Sequence, residues 1–193
     1  LRGLAPTPEH GAELVIEAVR RGGTSAIYHV LDDGDVDRIM RHSQTMIASD
    51  GRLTQPGEGH PHPRWYGTFP RVLAMYVRER GVLTLPAAVH KMTGMPAARL
   101  KLGDRGRIAE GLFADLVVFD SAAVADRATF EEPHQYPRGI PYVIVNGVVA
   151  VDNGRFVNVR PGRVLRRESG HTAVSAPERP GGSSMEDLRS QPR

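Results

Sequence analysis

Asp50 and Arg64 are the residues whose type and setting could do chemistry. Asp50 follows the short apolar run TMIAS at positions 45–49, and Gly51 lets the chain turn away behind it. That run reads as a buried strand. It would put the carboxylate at the strand's C-terminal end, where parallel α/β architectures collect their active-site groups. A carboxylate there can take a proton from an attacking water and return it to a leaving amine. A helix cap or turn is the commoner use of Ser-Asp-Gly, and spacing alone leaves both readings open. Arg64 closes the stretch HPHPR at 60–64, where prolines stiffen the backbone. A guanidinium so held can grip a carboxylate through two parallel hydrogen bonds, although a solvated surface arginine is the commoner case. His60 and His62 form an H-x-H pair, a metal motif when carried on a strand. In this proline-rich loop both are expected to be ordinary loop histidines, and His29 and His90, on apolar stretches, structural ones.

The elements that must position these groups change character along the chain. Leu14, Val15, Ala18 and Val19 recur at helical spacing within 12–21, and Gly22-Gly23 stops that helix. Residues 25–31 (SAIYHVL) form an apolar, β-branched run read as a second buried strand. Acidic residues from Asp32 to Asp35 then suit the start of a short helix, where exposed amides favour negative charge. A long irregular segment covers 52–68, and loops of that length inside a compact domain are usually functional or disordered. Residues 69–80 are predicted helical, with Pro70 in the first turn, and 85–100 read as two helices broken at Gly94-Met95-Pro96. Strand and helix thus alternate over the first hundred residues, which argues α/β with parallel strands. From Gly103 the pattern becomes antiparallel: a β run within 114–119, then two runs joined by Asn146-Gly147, and a second turn at Asp152-Asn153-Gly154. Residues 167–193, rich in Ser, Pro, Gly and Arg, are expected to be a disordered tail. The expected division is therefore 1–102, 103–166 and 167–193.

Composition narrows the function classes. The chain has 193 residues, 40% hydrophobic and 24% charged, which fits a globular protein. No run approaches the roughly 18 apolar residues of a membrane span, and no secretory leader opens the chain. The net charge is +3, but the basic residues are scattered arginines, with lysine only at Lys91 and Lys101, so nucleic acid is not an expected partner. The absence of cysteine excludes disulfides and thiolate ligands within this stretch and is compatible with a cytoplasmic setting. The opening Leu1-Arg2-Gly3-Leu4 does not read as a natural start, and we expect a fragment.

Three stretches together resemble the N-acyl-D-amino-acid deacylases of the amidohydrolase superfamily. The narrowest is Met46-Ile-Ala-Ser-Asp-Gly51 with His62-Pro-Arg64 and Gly67-Thr-Phe-Pro-Arg71. The second is Ala88-Val-His-Lys-Met-Thr-Gly94 with Pro96-Ala-Ala-Arg99. The third, widespread among amidohydrolases, is Gly106-Arg-Ile-Ala-Glu-Gly111, Ala114-Asp-Leu-Val-Val-Phe-Asp120 and Val143-Ile-Val-Asn-Gly147 with Pro161-Gly-Arg-Val-Leu165. The resemblance covers about 25–167. It implies the C-terminal part of a (β/α)8 barrel joined to a small antiparallel β-sandwich-like domain, with 25–31 as the seventh strand and Asp50 ending the eighth. It implies that Asp50 is the general acid/base, that Arg64 binds the substrate carboxylate, and that Leu31 borders the substrate pocket.

The family's H-x-H motif, bridging cysteine and later histidine ligands lie on earlier strands without counterparts here. The resemblance therefore implies Zn2+ as cofactor, held mostly by residues outside this chain, and a chain incomplete as an enzyme by itself. The expected partners are an N-acyl amino acid substrate and the remaining N-terminal part of the same enzyme, with no membrane. The reaction implied is hydrolysis of a linear amide, releasing a carboxylate and a free D-amino acid. The alternatives are a relative acting on cyclic amides, of hydantoinase or dihydroorotase type, and a non-catalytic interaction module.

Overall fold

The computed structural model describes residues 3, 5–23, 26, 27 and 29–165; the expected tail at 167–193 lies outside the described residues. Five α-helices and one π-helix precede a small sheet: α1 (Pro8–Arg20), α2 (Asp33–Arg41), α3 (Arg64–Arg71), the π-helix Val72–Glu79, α4 (Leu85–Met92) and α5 (Gly94–Leu100). Strands β1 (Leu116–Val118), β2 (Tyr142–Val145), β3 (Val148–Asp152) and β4 (Arg155–Phe156) form one antiparallel sheet in the order β1-β2-β3-β4.

Local chemistry sets most helix ends. Thr7 caps α1, Thr84 caps α4, and the Asp32 carboxylate accepts from the amides of Gly34 and Asp35 at 2.8 and 3.2 Å to start α2. α1 begins earlier than its periodicity suggests, with Pro8 in its first turn. The break between α4 and α5 falls at Thr93, just before the expected Gly94-Met95-Pro96. The two Asn-Gly turns form as expected, with φ of 48° and 81° at Asn146 and Gly147 and of 47° and 76° at Asn153 and Gly154. These are the left-handed conformations that a two-residue hairpin turn matching strand twist requires.

Three expectations are corrected. Residues 26, 27 and 29–31 of the first run, and 45–49, are not strands: Val30 and Leu31 are each 78% exposed, and the Ile47 amide donates to the Lys91 carbonyl at 3.1 Å rather than into a ladder. A strand buried on both faces exists only through neighbours that accept its backbone bonds, and no described strand lies beside these runs. The helix expected from 69 begins at Arg64, so Pro70 is in its interior rather than its first turn. Proline supplies no amide to the ladder. Beyond it the helix widens into the π register, closing with Arg80 N–H on Met75 O at 2.8 Å.

The core lies between the π-helix and α4. Val72, Leu73, Val82, Leu83, Ala88 and Val124 are buried, with Met40, Ile47, Tyr76, Met92, Phe119 and Ile140 packed against them. Val124, with Phe119 and Ile140, brings the chain between β1 and β2 into the same core. α1 contributes no buried residue, and its Val15, Ile16 and Val19 are exposed.

Candidate active site

The N-terminus of α3 organises the site. Pro63 stands at its cap position but has no side-chain acceptor, and the His62 ring takes over: Nδ1 accepts the Arg64 amide at 3.0 Å. An Nδ1 that accepts is unprotonated, so the proton of the neutral ring sits on Nε2. Burial, then the Arg64 guanidinium and His29, lower the pKa of His62; the Asp50 carboxylate opposes them. The exposed amides at the helix N-terminus act in the same direction, because they disfavour a nearby cation.

Arg64, the first residue of α3, reaches back to the chain that enters the loop: its Nε lies 2.6 Å from Asp50 Oδ1. Residues far apart in the sequence thus meet as an ion pair. Asp50 is mostly exposed and Arg64 about half so, which makes the pair adjustable rather than locked, worth at most about 1 kcal/mol to the fold. A hydroxyl relay fixes the two backbones against each other. Thr68 Oγ1 donates to Arg64 O at 2.9 Å, Ser49 Oγ donates to the same oxygen at 3.3 Å, and the Gly51 amide donates to Ser49 Oγ at 3.0 Å. Gly51 is needed for this approach: a Cβ there would stand 3.0 Å from Trp65 Cα and 3.1 Å from Arg64 O.

A segment from beyond β1 closes the other side. The Phe130 ring meets His29 and His62 edge-on at 4.7 and 5.3 Å between centroids, and its carbonyl pairs with His60 Nε2 at 2.6 Å. Tyr66 Oη pairs with His134 Nδ1 at 2.9 Å, tying α3 to the same segment. Arg52, Leu53, Thr54, Trp65, Tyr66 and Tyr136 line a recess of about 200 Å3, to which neither Asp50 nor Arg64 contributes. It is smaller than the roughly 300 Å3 that ordinarily encloses a ligand.

Of the residues singled out in the sequence, Asp50 and Arg64 are brought together, and His60 and His62 have the structural partners expected of loop histidines. Leu31 is exposed directly before the α2 cap. Phe130 and the Ser49–Thr68 relay were not anticipated. Thr68 lies one helical turn after Arg64, a relation hidden by the expectation that the helix begins at Phe69, and nothing local points from Phe130 to a loop so far back in the chain.

Residues 3–151 match the model of the amidohydrolase family. The chain belongs to that family. Among relatives of this amidohydrolase chain, the N-acyl-D-glutamate deacylase of Alcaligenes xylosoxydans xylosoxydans is 44% identical over 90% of the chain and 37% of its own length. The D-aminoacylase of the same organism is 51% identical over 74% of the chain and 29% of its length. A crystal structure of D-aminoacylase superposes with a TM-score of 0.70 at 45% identity, covering 80% of the chain and 34% of that structure. The N-acyl-D-glutamate deacylase from Bordetella bronchiseptica, complexed with zinc and a phosphonate mimic of the tetrahedral intermediate, gives 0.65 at 39% identity, covering 79% and 34%. The resemblance to N-acyl-D-amino-acid deacylases therefore holds, and the amidohydrolase chain spans about a third of the length of these relatives.

The zinc of the Bordetella bronchiseptica enzyme has no counterpart site among the described residues alone. Among them, no group of three or more His, Asp or Glu side chains could hold an ion, and a catalytic zinc takes about three protein ligands. Nor is any helix among them long and apolar enough to cross a membrane.

Proposed function

We propose that this chain is the C-terminal part of a zinc-dependent hydrolase that deacylates N-acyl-D-amino acids. The observation that carries the reading is the Asp50–Arg64 pair at 2.6 Å, a proton carrier beside a carboxylate receptor. Arg64 at the head of α3 takes the substrate carboxylate in place of Asp50, through the paired donors of its guanidinium. Asp50, released from Arg64, accepts a proton from the attacking water and returns it to the amide nitrogen as the acyl–nitrogen bond breaks. Leu31 borders the space for the substrate side chain. In this reading residues 1–102 belong to a (β/α)8 barrel in which 25–31 and 45–49, without ladder partners among the described residues, gain them from the rest of the fold; residues 103–166 form the small sandwich-like domain, and the zinc ligands lie outside the described residues. We place the enzyme in the cytoplasm, with which the absence of cysteine is compatible. Its partners are the N-acyl amino acid and the rest of its own fold.

The complete gene product is the material for the test. N-acetyl-D-amino acids, their L-enantiomers and hydantoins are offered in parallel, with and without a chelator. Turnover confined to the D-amides, lost on chelation and reduced about 10²–10⁴-fold in Asp50→Asn, is expected. Turnover of hydantoins, or full activity in Asp50→Asn, would remove the reading.

A further inference from the structure

Lys91 is the one charged side chain buried among the described residues, at 6% exposure. It lies in the last turn of α4, on the helix that sends Ala88 and Met92 into the core. A buried ammonium is tolerated only when its donors are met. Nζ donates to two main-chain carbonyls, His42 O at 2.5 Å and Thr45 O at 2.8 Å. His42 is the C-terminal cap of α2, where the helix dipole favours a cation and the last carbonyls have no partner within the helix. The Lys91 carbonyl in turn accepts the Ile47 amide at 3.1 Å. One residue thus holds the segment 42–47 at three points, through its side chain and its backbone.

That segment leads straight to Asp50. Downstream of Ile47 the next fixed points are Ser49 Oγ and the Gly51 amide, bound to each other and, through Ser49, to Arg64 O on α3. Asp50 is therefore suspended between two anchors, Lys91 on α4 and the hydroxyl relay on α3.

We propose that Lys91 is a positioning residue for Asp50: its ammonium and carbonyl together fix the approach of the chain that presents the acid/base carboxylate. The inference rests on the assignment of Asp50 above. Arg64 stands on α3 and does not depend on Lys91, so losing the staple disturbs the proton transfer and leaves the grip on the substrate carboxylate in place.

Lys91→Met keeps the length and apolar stem and removes the donors, while Lys91→Gln keeps a donor for one carbonyl. In the complete enzyme, well below the melting temperature of each variant, Lys91→Met is expected to lower kcat about 10–100-fold, the scale of a misplacement near 1 Å. KM and zinc content should stay within about twofold of wild type, and Lys91→Gln should fall between the two. Hydrogen exchange supplies a readout that needs no turnover: amides of 45–51 should exchange faster in Lys91→Met while those of β2 and β3 do not. Unchanged kcat with a lowered melting temperature would make Lys91 merely structural and overturn the proposal. If neither variant folds, the wild-type protein decides, since the Ile47 amide must be protected like those of α4; exchange as fast as in the loop 52–60 would overturn it. A wild-type enzyme inactive on N-acyl-D-amino acids would count against the functional reading, with the exchange result still deciding whether Lys91 holds this segment.

Discussion

Gly51→Ala tests how tightly the structure sets the distance between Asp50 and Arg64. The added methyl would meet Ser49 Oγ and Trp65 Cα at 3.0 Å and Arg64 O at 3.1 Å, so something must give by a few tenths of an ångström. Two of the three atoms are backbone in the first turn of α3, tied down by Trp65 N–H on His62 O and Gly67 N–H on Pro63 O, each at 3.0 Å. The yielding part is therefore 49–51, which carries Asp50. Crowding of this kind costs about 1 kcal/mol at the lower end of the overpacking range, because the neighbourhood is exposed and can relax outward. The effect on chemistry is larger relative to its cause: with about 10² lost per ångström of misplacement, a shift of this size should lower kcat/KM about 3–10-fold. Steady-state deacylation by the complete enzyme reads the rate, and thermal unfolding reads the fold. Gly11→Ala in α1 is the control, because no atom lies within 4 Å of its added Cβ and helix propensity improves. A Gly51→Ala enzyme with wild-type kcat/KM would show that this close approach does not set the catalytic geometry.

Other consequences are open to measurement. Arg64→Lys keeps the charge and loses the two-pronged geometry; KM should rise about 10-fold or more for substrates with a free carboxylate and stay nearly unchanged for their amides, whereas equal losses on both would make Arg64 structural. Because His62 titrates below its usual value, the unfolded chain takes up its proton first as pH falls. The folded state therefore loses stability from about pH 6.5 down to the lowered value. This loss should be smaller in His62→Gln by thermal unfolding at pH 7.5 and 5.5, and Arg64→Gln should raise the His62 pKa in an NMR titration. Asp115 accepts the Asn146 amide at 2.7 Å and pairs with the largely buried Arg105; Asp115→Ala should cost about 2 kcal/mol in chemical denaturation without changing kcat.

What was legible in the sequence was what is decided within a few residues. Asp32 caps α2, Thr93 and Gly94 part α4 from α5, and two Asn-Gly pairs turn the hairpins, because each needs only its own neighbours. The runs at 25–31 and 45–49 have no ladder partners among the described residues for the opposite reason. Their apolar, β-branched composition records an environment, and an environment of ladder partners on both sides is a property of distant chain. Within the described residues it is absent, and Val30 and Leu31 stand exposed where that composition expects burial.

The site divides along the same line. Asp50 and Arg64 were found by residue type and by resemblance, but their contact was not, since it depends on a loop whose closure rests on His62 capping α3 in place of Pro63 and on Gly51 clearing Trp65. Each of these devices puts a residue to a use its neighbours do not advertise: a histidine as a helix cap, a glycine with no positive φ, and a lysine in an apolar helix bound to carbonyls of α2 and the chain beyond. Their shared effect is to bring two separately supported backbones to one point. Asp50 approaches from the side of α2 and α4, and Arg64 stands on α3. Asp50 and Arg64 can therefore be perturbed from different sides, the first through Lys91 and the second through His62. A variant enzyme in which kcat and KM always moved together, whichever support was altered, would mean that the Ser49–Thr68 relay couples the two supports into one unit.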